Sequence, residues 1–112
     1  MIAQFLKDCG LHENTDIEEL REIIRIHLYY GTLITFYDEQ GLYAVGRFNI
    51  SDKVAIILDV GVRKDRRFTK VLQQMIKEGL IRFPKIKYLK FERGLKNKPM
   101  KLVNIKKFLK EK

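Results

Sequence analysis

The stretch KVAIILDVGV, residues 53–62, constrains this chain more than any other. It is an almost unbroken apolar run with one carboxylate, Asp59, inside it. A strand that is apolar on both faces must be covered on both, which places it at the centre of a sheet. The period then changes at once. Phe68, Val71, Leu72, Met75, Ile76 and Leu80 recur at helical spacing over residues 66–83, and Pro84 stops the segment. IKYLKFER, residues 86–93, returns to strand composition. Strand, helix, strand is a crossover unit, so its two strands run parallel with a right-handed connection.

Upstream, two helices and two strands are expected. Ile2, Phe5, Leu6 and Cys9 share one helical face, with Gly10 placed to end that helix. Thr15 followed by Glu18 fits a capping box, and Asp16, Glu18 and Glu19 load the next first turn with negative charge. Leu20, Ile23, Ile24, His27 and Leu28 form the inward face of this second helix, which Gly31 closes. TLITFYDE is rich in β-branched and aromatic residues, and Gln40-Gly41 makes a turn. In GLYAVGRFNI, Leu42, Ala44, Phe48 and Ile50 alternate against Tyr43, Arg47 and Asn49. The short Ser51-Asp52 connection favours an antiparallel hairpin into the apolar run. Downstream, GLKNKP is a turn, MKLVNI one more strand and KKFLK a short terminal helix. The expected fold is α+β: one domain over residues 1–112, with a mixed, mainly antiparallel sheet flanked by helices.

Charge is divided sharply along the chain. Residues 1–62 hold five Lys/Arg against ten Asp/Glu, a net −5, whereas residues 63–112 hold 18 against four, a net +14. Such a dipolar molecule attracts polyanions to one end. The densest basic cluster is RKDRR, residues 63–67, between the apolar strand and the helix. Asp65 is the expected N-cap there, leaving free helix amides ringed by Arg63, Lys64, Arg66 and Arg67 as the best anion site in the chain.

Other chemistry is thinly supplied. A single cysteine, Cys9, cannot form an internal disulfide, and with the isolated His12 and His27 it argues against a metal centre. His27 is expected in the core, His12 exposed in a loop and Cys9 in core packing. No apolar run approaches the roughly 20 residues of a membrane span, and MIAQFLKDCG lacks the pattern of a signal peptide. A cytoplasmic protein that contacts no membrane is the expectation.

The order of elements, with DVGVRKDRRFTKV joining strand to helix, resembles the GNAT acetyltransferase superfamily over roughly Asp16 to Glu92. The basic-aromatic tail YLKFERGLKNKPMKLVNIKKFLK is similar to the endings of small GNAT-like proteins of tailed phages. The resemblance implies a GNAT-like domain that binds acetyl-CoA by its pyrophosphate at the helix N-terminus. Carried over, that site comprises Val60, Val62, Arg63, Lys64, Arg66, Arg67, Phe68 and Thr69, with Asp59 as catalytic base. The family's Arg/Gln-x-x-Gly-x-Gly/Ala loop has no counterpart, for no glycine lies between Arg63 and Val71. No tyrosine follows Tyr88 to serve as the acid that many members use. Weak acetyl-CoA binding is therefore expected, and an acyltransferase that has lost its catalysis fits the same residues.

The alternative is a basic nucleic-acid-binding or virion-associated module on the same fold. Its phosphate contacts would come from the 63–70 cluster and from Lys85, Lys87, Lys90, Arg93, Lys96, Lys98 and Lys101, with Phe83, Tyr88 and Phe91 available for stacking.

Overall fold

The structure, a computed structural model, describes residues 1–92 and 102–110. The expected turn GLKNKP, with Arg93, Lys96, Lys98 and Lys101, lies outside the described residues. Nine elements follow in order: α1 (Ile2–Asp8), α2 (Ile17–Tyr30), β1 (Leu33–Asp38), β2 (Gly41–Ser51), β3 (Val54–Val62), α3 (Phe68–Arg82), β4 (Tyr88–Phe91), β5 (Val103–Asn104) and α4 (Ile105–Lys110). The five strands form one mixed sheet in sequence order, so the apolar strand β3 is central. It pairs antiparallel with β2 and parallel with β4, and β4 pairs antiparallel with β5. This is the expected α+β architecture with its crossover from β3 through α3 to β4.

Helices cover both faces of the sheet. On one face α1 and α2 bury Ala3, Leu6, Leu20 and Ile24 against Leu33, Leu42 and Val45. On the other, Val71, Leu72, Met75 and Ile76 of α3 pack over Ile34, Ala44, Phe48, Ala55 and Leu89. Gly46 allows this close approach, since a Cβ there would stand 2.7 Å from Met75 Sδ. Arg82 ties the far end of α3 to the second helix by donating to the carbonyls of Gly31 and Leu33.

Two bulges break the strict alternation read from β2. Phe36 faces Ala44 but Tyr37 faces Leu42, so Tyr43 is an extra residue. Leu42 therefore joins Val45 under α1 and α2, while Tyr43 and Ala44 both turn towards α3. Arg47 faces Asp59 but Phe48 faces Ile57, making Leu58 an extra residue in β3. Ile57 and Val60, three apart, consequently both pack under α3. Asp59 and Gly61 face the opposite side. A bulge re-aims side chains in this way without ending the strand.

Helix ends differ from expectation in four places. Asp16, not Thr15, caps α2 by accepting from the Glu18 amide, because the Thr15 backbone is taken up in a turn with His12. Arg67, not Asp65, is the N-cap of α3, and no side chain caps it. Phe68 was expected on the sheet but is 49% exposed, for it is the first residue of α3 and precedes the turn that packs. Leu28 likewise lies outside the buried stripe of α2, which comprises Leu20, Ile24 and His27.

Burial separates two substitutions on neighbouring elements. Leu89→Ala, in a side chain 2% exposed, should cost about 2–5 kcal/mol. Phe68→Ala should stay within about 0.5 kcal/mol. Urea unfolding of the two variants checks this, and a reversed order would place α3 in a different register on the sheet.

Candidate functional site

The most unusual feature of the interior is a carboxylate in the central strand. Asp59 is only 3% exposed, and its Oδ2 accepts from Arg47 Nε at 2.5 Å and from His12 Nε2 at 2.7 Å. The Leu58 bulge makes this possible by turning Asp59 to the same face as its cross-strand partner Arg47. Oδ1 is buried with no partner. Burial alone would raise the carboxyl pKa, but the hydrogen bonds from His12 and Arg47 outweigh it and hold the group below its ordinary value. Asp59 is thus an ionised anchor.

The network continues on the other side of Arg47. Arg47 Nη1 lies 3.3 Å from His27 Nε2, and His27 Nδ1 lies 2.7 Å from Thr32 Oγ1. A guanidinium only donates, so Nε2 accepts and the proton sits on Nδ1. The Thr32 hydroxyl accepts that proton's bond and itself donates to the His27 carbonyl. Burial, reinforced by the Arg47 charge, keeps the His27 pKa below normal. The expectation of a satisfied core histidine holds for His27.

It does not hold for His12, which is no exposed loop residue. Its side chain is 10% exposed and locked to Asp59. The loop closes around it with a left-handed backbone at φ +56°, and Lys7 Nζ donates to the carbonyls of His12 and Thr15. Proximity in sequence could not have found this contact, since 47 residues separate the pair. Cys9 departs from expectation in the opposite sense. It is exposed, with Sγ 3.9 Å from the Val62 carbonyl and beside Gly61, because it is the C-cap that follows α1 and not a residue of the helix's buried face.

The end of β3 carries the sequence-derived anion site. β4 pairs with Val54–Ile57 only. Beyond Ile57, the β4 side of β3 has no paired strand among the described residues. The strand then runs through Val62 into RKDRR. Here the basic cluster is partly spent on internal partners. Arg63 donates to both oxygens of Asp38 and both of Asp65, and Arg66 donates to Asp38. Arg66 also lies 3.9 Å above the Tyr43 ring, a cation–π contact. The two arginines hold the Asp38 carboxyl far below the usual carboxylate range, and Arg63 does the same to Asp65 to a lesser degree. Lys64 and Arg67 are exposed and make no ion pair among the described residues. With Val71 N bonded to Arg67 O as the first helical bond, the amides of Phe68, Thr69 and Lys70 lack helical acceptors.

Of the eight residues expected to hold a cofactor, four share one groove. Val60, Val62, Arg63 and Lys64 line an opening of about 480 Å³. Its other wall is Phe5, Asp8 and Cys9 of α1 with Leu42 of β2, residues that no sequence pattern pointed to. Arg66, Arg67, Phe68 and Thr69 follow at the α3 N-terminus. A second, polar pocket of about 280 Å³ lies on the other side of the α1 end, lined by Gly10, His12, Glu13, Asn14 and Thr15. Among the described residues, no group of three or more His, Cys, Asp and Glu is placed to hold a metal ion, and no helix is long and apolar enough to cross a membrane. No protein-family model matches the chain, and neither a curated protein sequence nor a solved structure matches it.

The downward shifts of the buried pair, His27 and Asp59, set a pH dependence. A group whose pKa is lower in the fold stabilises fully above its ordinary value and loses that contribution as pH falls towards the folded value. His27 acts first, below its ordinary 6.5, and Asp59 follows below 3.8. The urea midpoint should therefore be flat above about pH 7 and fall on acidification through the histidine range. His27→Gln should flatten that first segment. A midpoint that rises as pH drops from 7 to 5 would contradict a neutral His27.

Proposed function

We propose that this chain is a GNAT-like domain that binds an acyl-CoA-type ligand and transfers its acyl group. The observation that carries the proposal is the parting of β4 from β3 at Ile57. It leaves the last five residues of β3 without a strand on that side among the described residues. Three of them, Val60 to Val62, line the α1 groove on a path that leads to the uncapped N-terminus of α3. A CoA-type ligand is long, apolar in its acyl arm and anionic at its phosphates. The groove offers Phe5 and Leu42 to the arm, beside the end of β3 at Val60 to Val62. Lys64, Arg67 and the free amides of Phe68 to Lys70 suit the phosphates. The strand order and the crossover agree with this reading.

The missing loop glycines set the expected strength. Side chains at Arg67, Phe68 and Thr69 keep a diphosphate from lying flat on the backbone, so the charge of Lys64 and Arg67 has to do what close amides do elsewhere. Arg63 and Arg66 contribute less, being already paired with Asp38 and Asp65. Affinity should be modest and salt-sensitive.

The nucleic-acid reading is weakened by packing. Phe83 and Phe91, which could have stacked on bases, pack against the core, Phe83 edge-on to Phe48. Exposed Lys85, Lys87, Lys106, Lys107 and Lys110 remain for phosphate contact alone.

Calorimetric titration of CoA and acetyl-CoA tests the proposal. Binding is expected in the wild type, and Lys64→Glu/Arg67→Glu should abolish it, whereas Lys106→Glu/Lys107→Glu should leave it unchanged. The opposite pattern would place the anion site on the α4 surface. In that case single-stranded oligonucleotide should bind with an affinity falling steeply as salt rises.

A further inference from the structure

We propose that His12, held by Asp59, is the proton acceptor for the nucleophile that attacks the acyl group. The inference takes its chemistry from the acyl-transfer reading above, but its geometry stands apart from the α3 end. Asp59 itself is sealed, with a side chain 1% exposed and already bonded to Arg47 and His12. It reaches a substrate only through His12.

The tautomer follows from the partner. An ionised carboxylate accepts and never donates, so the 2.7 Å contact requires the proton on His12 Nε2. Neutral His12 then carries its lone pair on Nδ1. Among the described residues that nitrogen has no hydrogen-bond partner, and, unlike Asp59 Oδ1, it is not a buried orphan. His12 is one wall of the polar pocket beside α1. Cys9 lines the groove and the adjacent Gly10 lines the polar pocket, so the two openings flank the C-terminal end of α1.

Three further features suit a proton acceptor. The charge of Asp59 stabilises the imidazolium that forms, and its unpartnered Oδ1 leaves that charge incompletely compensated by Arg47 and His12. Lys7 fixes the loop by its bonds to the His12 and Thr15 carbonyls, and the left-handed backbone at His12 is a strained conformation retained in a ring-shaped turn. Glu13, in the same pocket, is the remaining charged group near the open nitrogen. In the step itself, an N–H or O–H nucleophile attacks the thioester carbonyl carbon and its proton passes to Nδ1. The carbon–sulfur bond breaks, the acyl group stays on the nucleophile, and the departing thiolate takes up the proton that the His12 imidazolium gives back, leaving as the free thiol. His12 is the group that touches substrate, and Asp59 is a positioning residue.

The test combines a ground-state and a kinetic readout. Long-range proton–nitrogen NMR on the wild type should show His12 as the Nε2–H tautomer at neutral pH, and Asp59→Asn should lose that preference. With acetyl-CoA as donor and ethanolamine as probe nucleophile, His12→Gln should lower transfer at least about a hundredfold. Glutamine keeps an N–H for Asp59 but has no basic nitrogen, so a merely structural anchor would survive the change. Acetyl-CoA binding together with an Nδ1–H tautomer, or with unchanged transfer in a folded His12→Gln, overturns this inference alone. Failure of acetyl-CoA to bind the wild type overturns the acyl-transfer reading instead.

Discussion

The ion pair between Arg47 and Asp59 is the constraint around which the rest of this molecule is arranged. Two opposite charges face each other across β2 and β3 in the middle of the sheet, and the surroundings provide little water to screen them. Such a pair is costly to bury and costlier to break, since removing one partner strands the other, a loss of about 3–5 kcal/mol. The neighbouring elements are consistent with that demand. Thr32 and His27 supply a neutral acceptor to Arg47, and His12 supplies a second donor to Asp59. The Leu58 bulge is the backbone feature that allows it. Ile57 and Val60 on either side of the bulge pack under α3, while Asp59 faces Arg47 and His12.

Charge elsewhere follows a different logic. The basic cluster after β3 stands out in sequence, yet two of its four cations are neutralised locally by Asp38 and Asp65. Asp38 sits at the end of β1, so its bonds to Arg63 and Arg66 pin the strand-to-helix turn onto the sheet, and the Tyr43 ring supports Arg66 from below. The turn is held by the residues that seemed most available to a ligand. What is left for an anion is narrower: Lys64, Arg67 and the first amides of α3.

The fold was legible where a pattern was local. An apolar run with no polar face had to be a central strand, and a 3.6-residue stripe ending at Pro84 had to be a helix returning to a parallel strand. Bulges were illegible, because nothing in the composition of Leu42–Ala44 or Ile57–Asp59 announces an extra residue. That single gap accounts for the misplaced face of Leu42 and for the hidden partnership of Asp59. The candidate site was legible in part. The cluster at 63–67 was found from charge alone, but its internal pairing depends on Asp38, 25 residues away. His12 has the polar sequence neighbours of an exposed loop residue, whereas its partner comes from the central strand, 47 residues away.

The central claim is that the anion site lies at the α3 end of β3 and not on the lysine-rich surface of α4. Amide chemical-shift mapping during a CoA titration tests it most directly. The account predicts that the largest shifts fall on Gly61 to Val62 and Lys64 to Lys70. Shifts confined to Lys85–Lys87 and Lys106–Lys110, with the 61–70 amides unmoved, would contradict it.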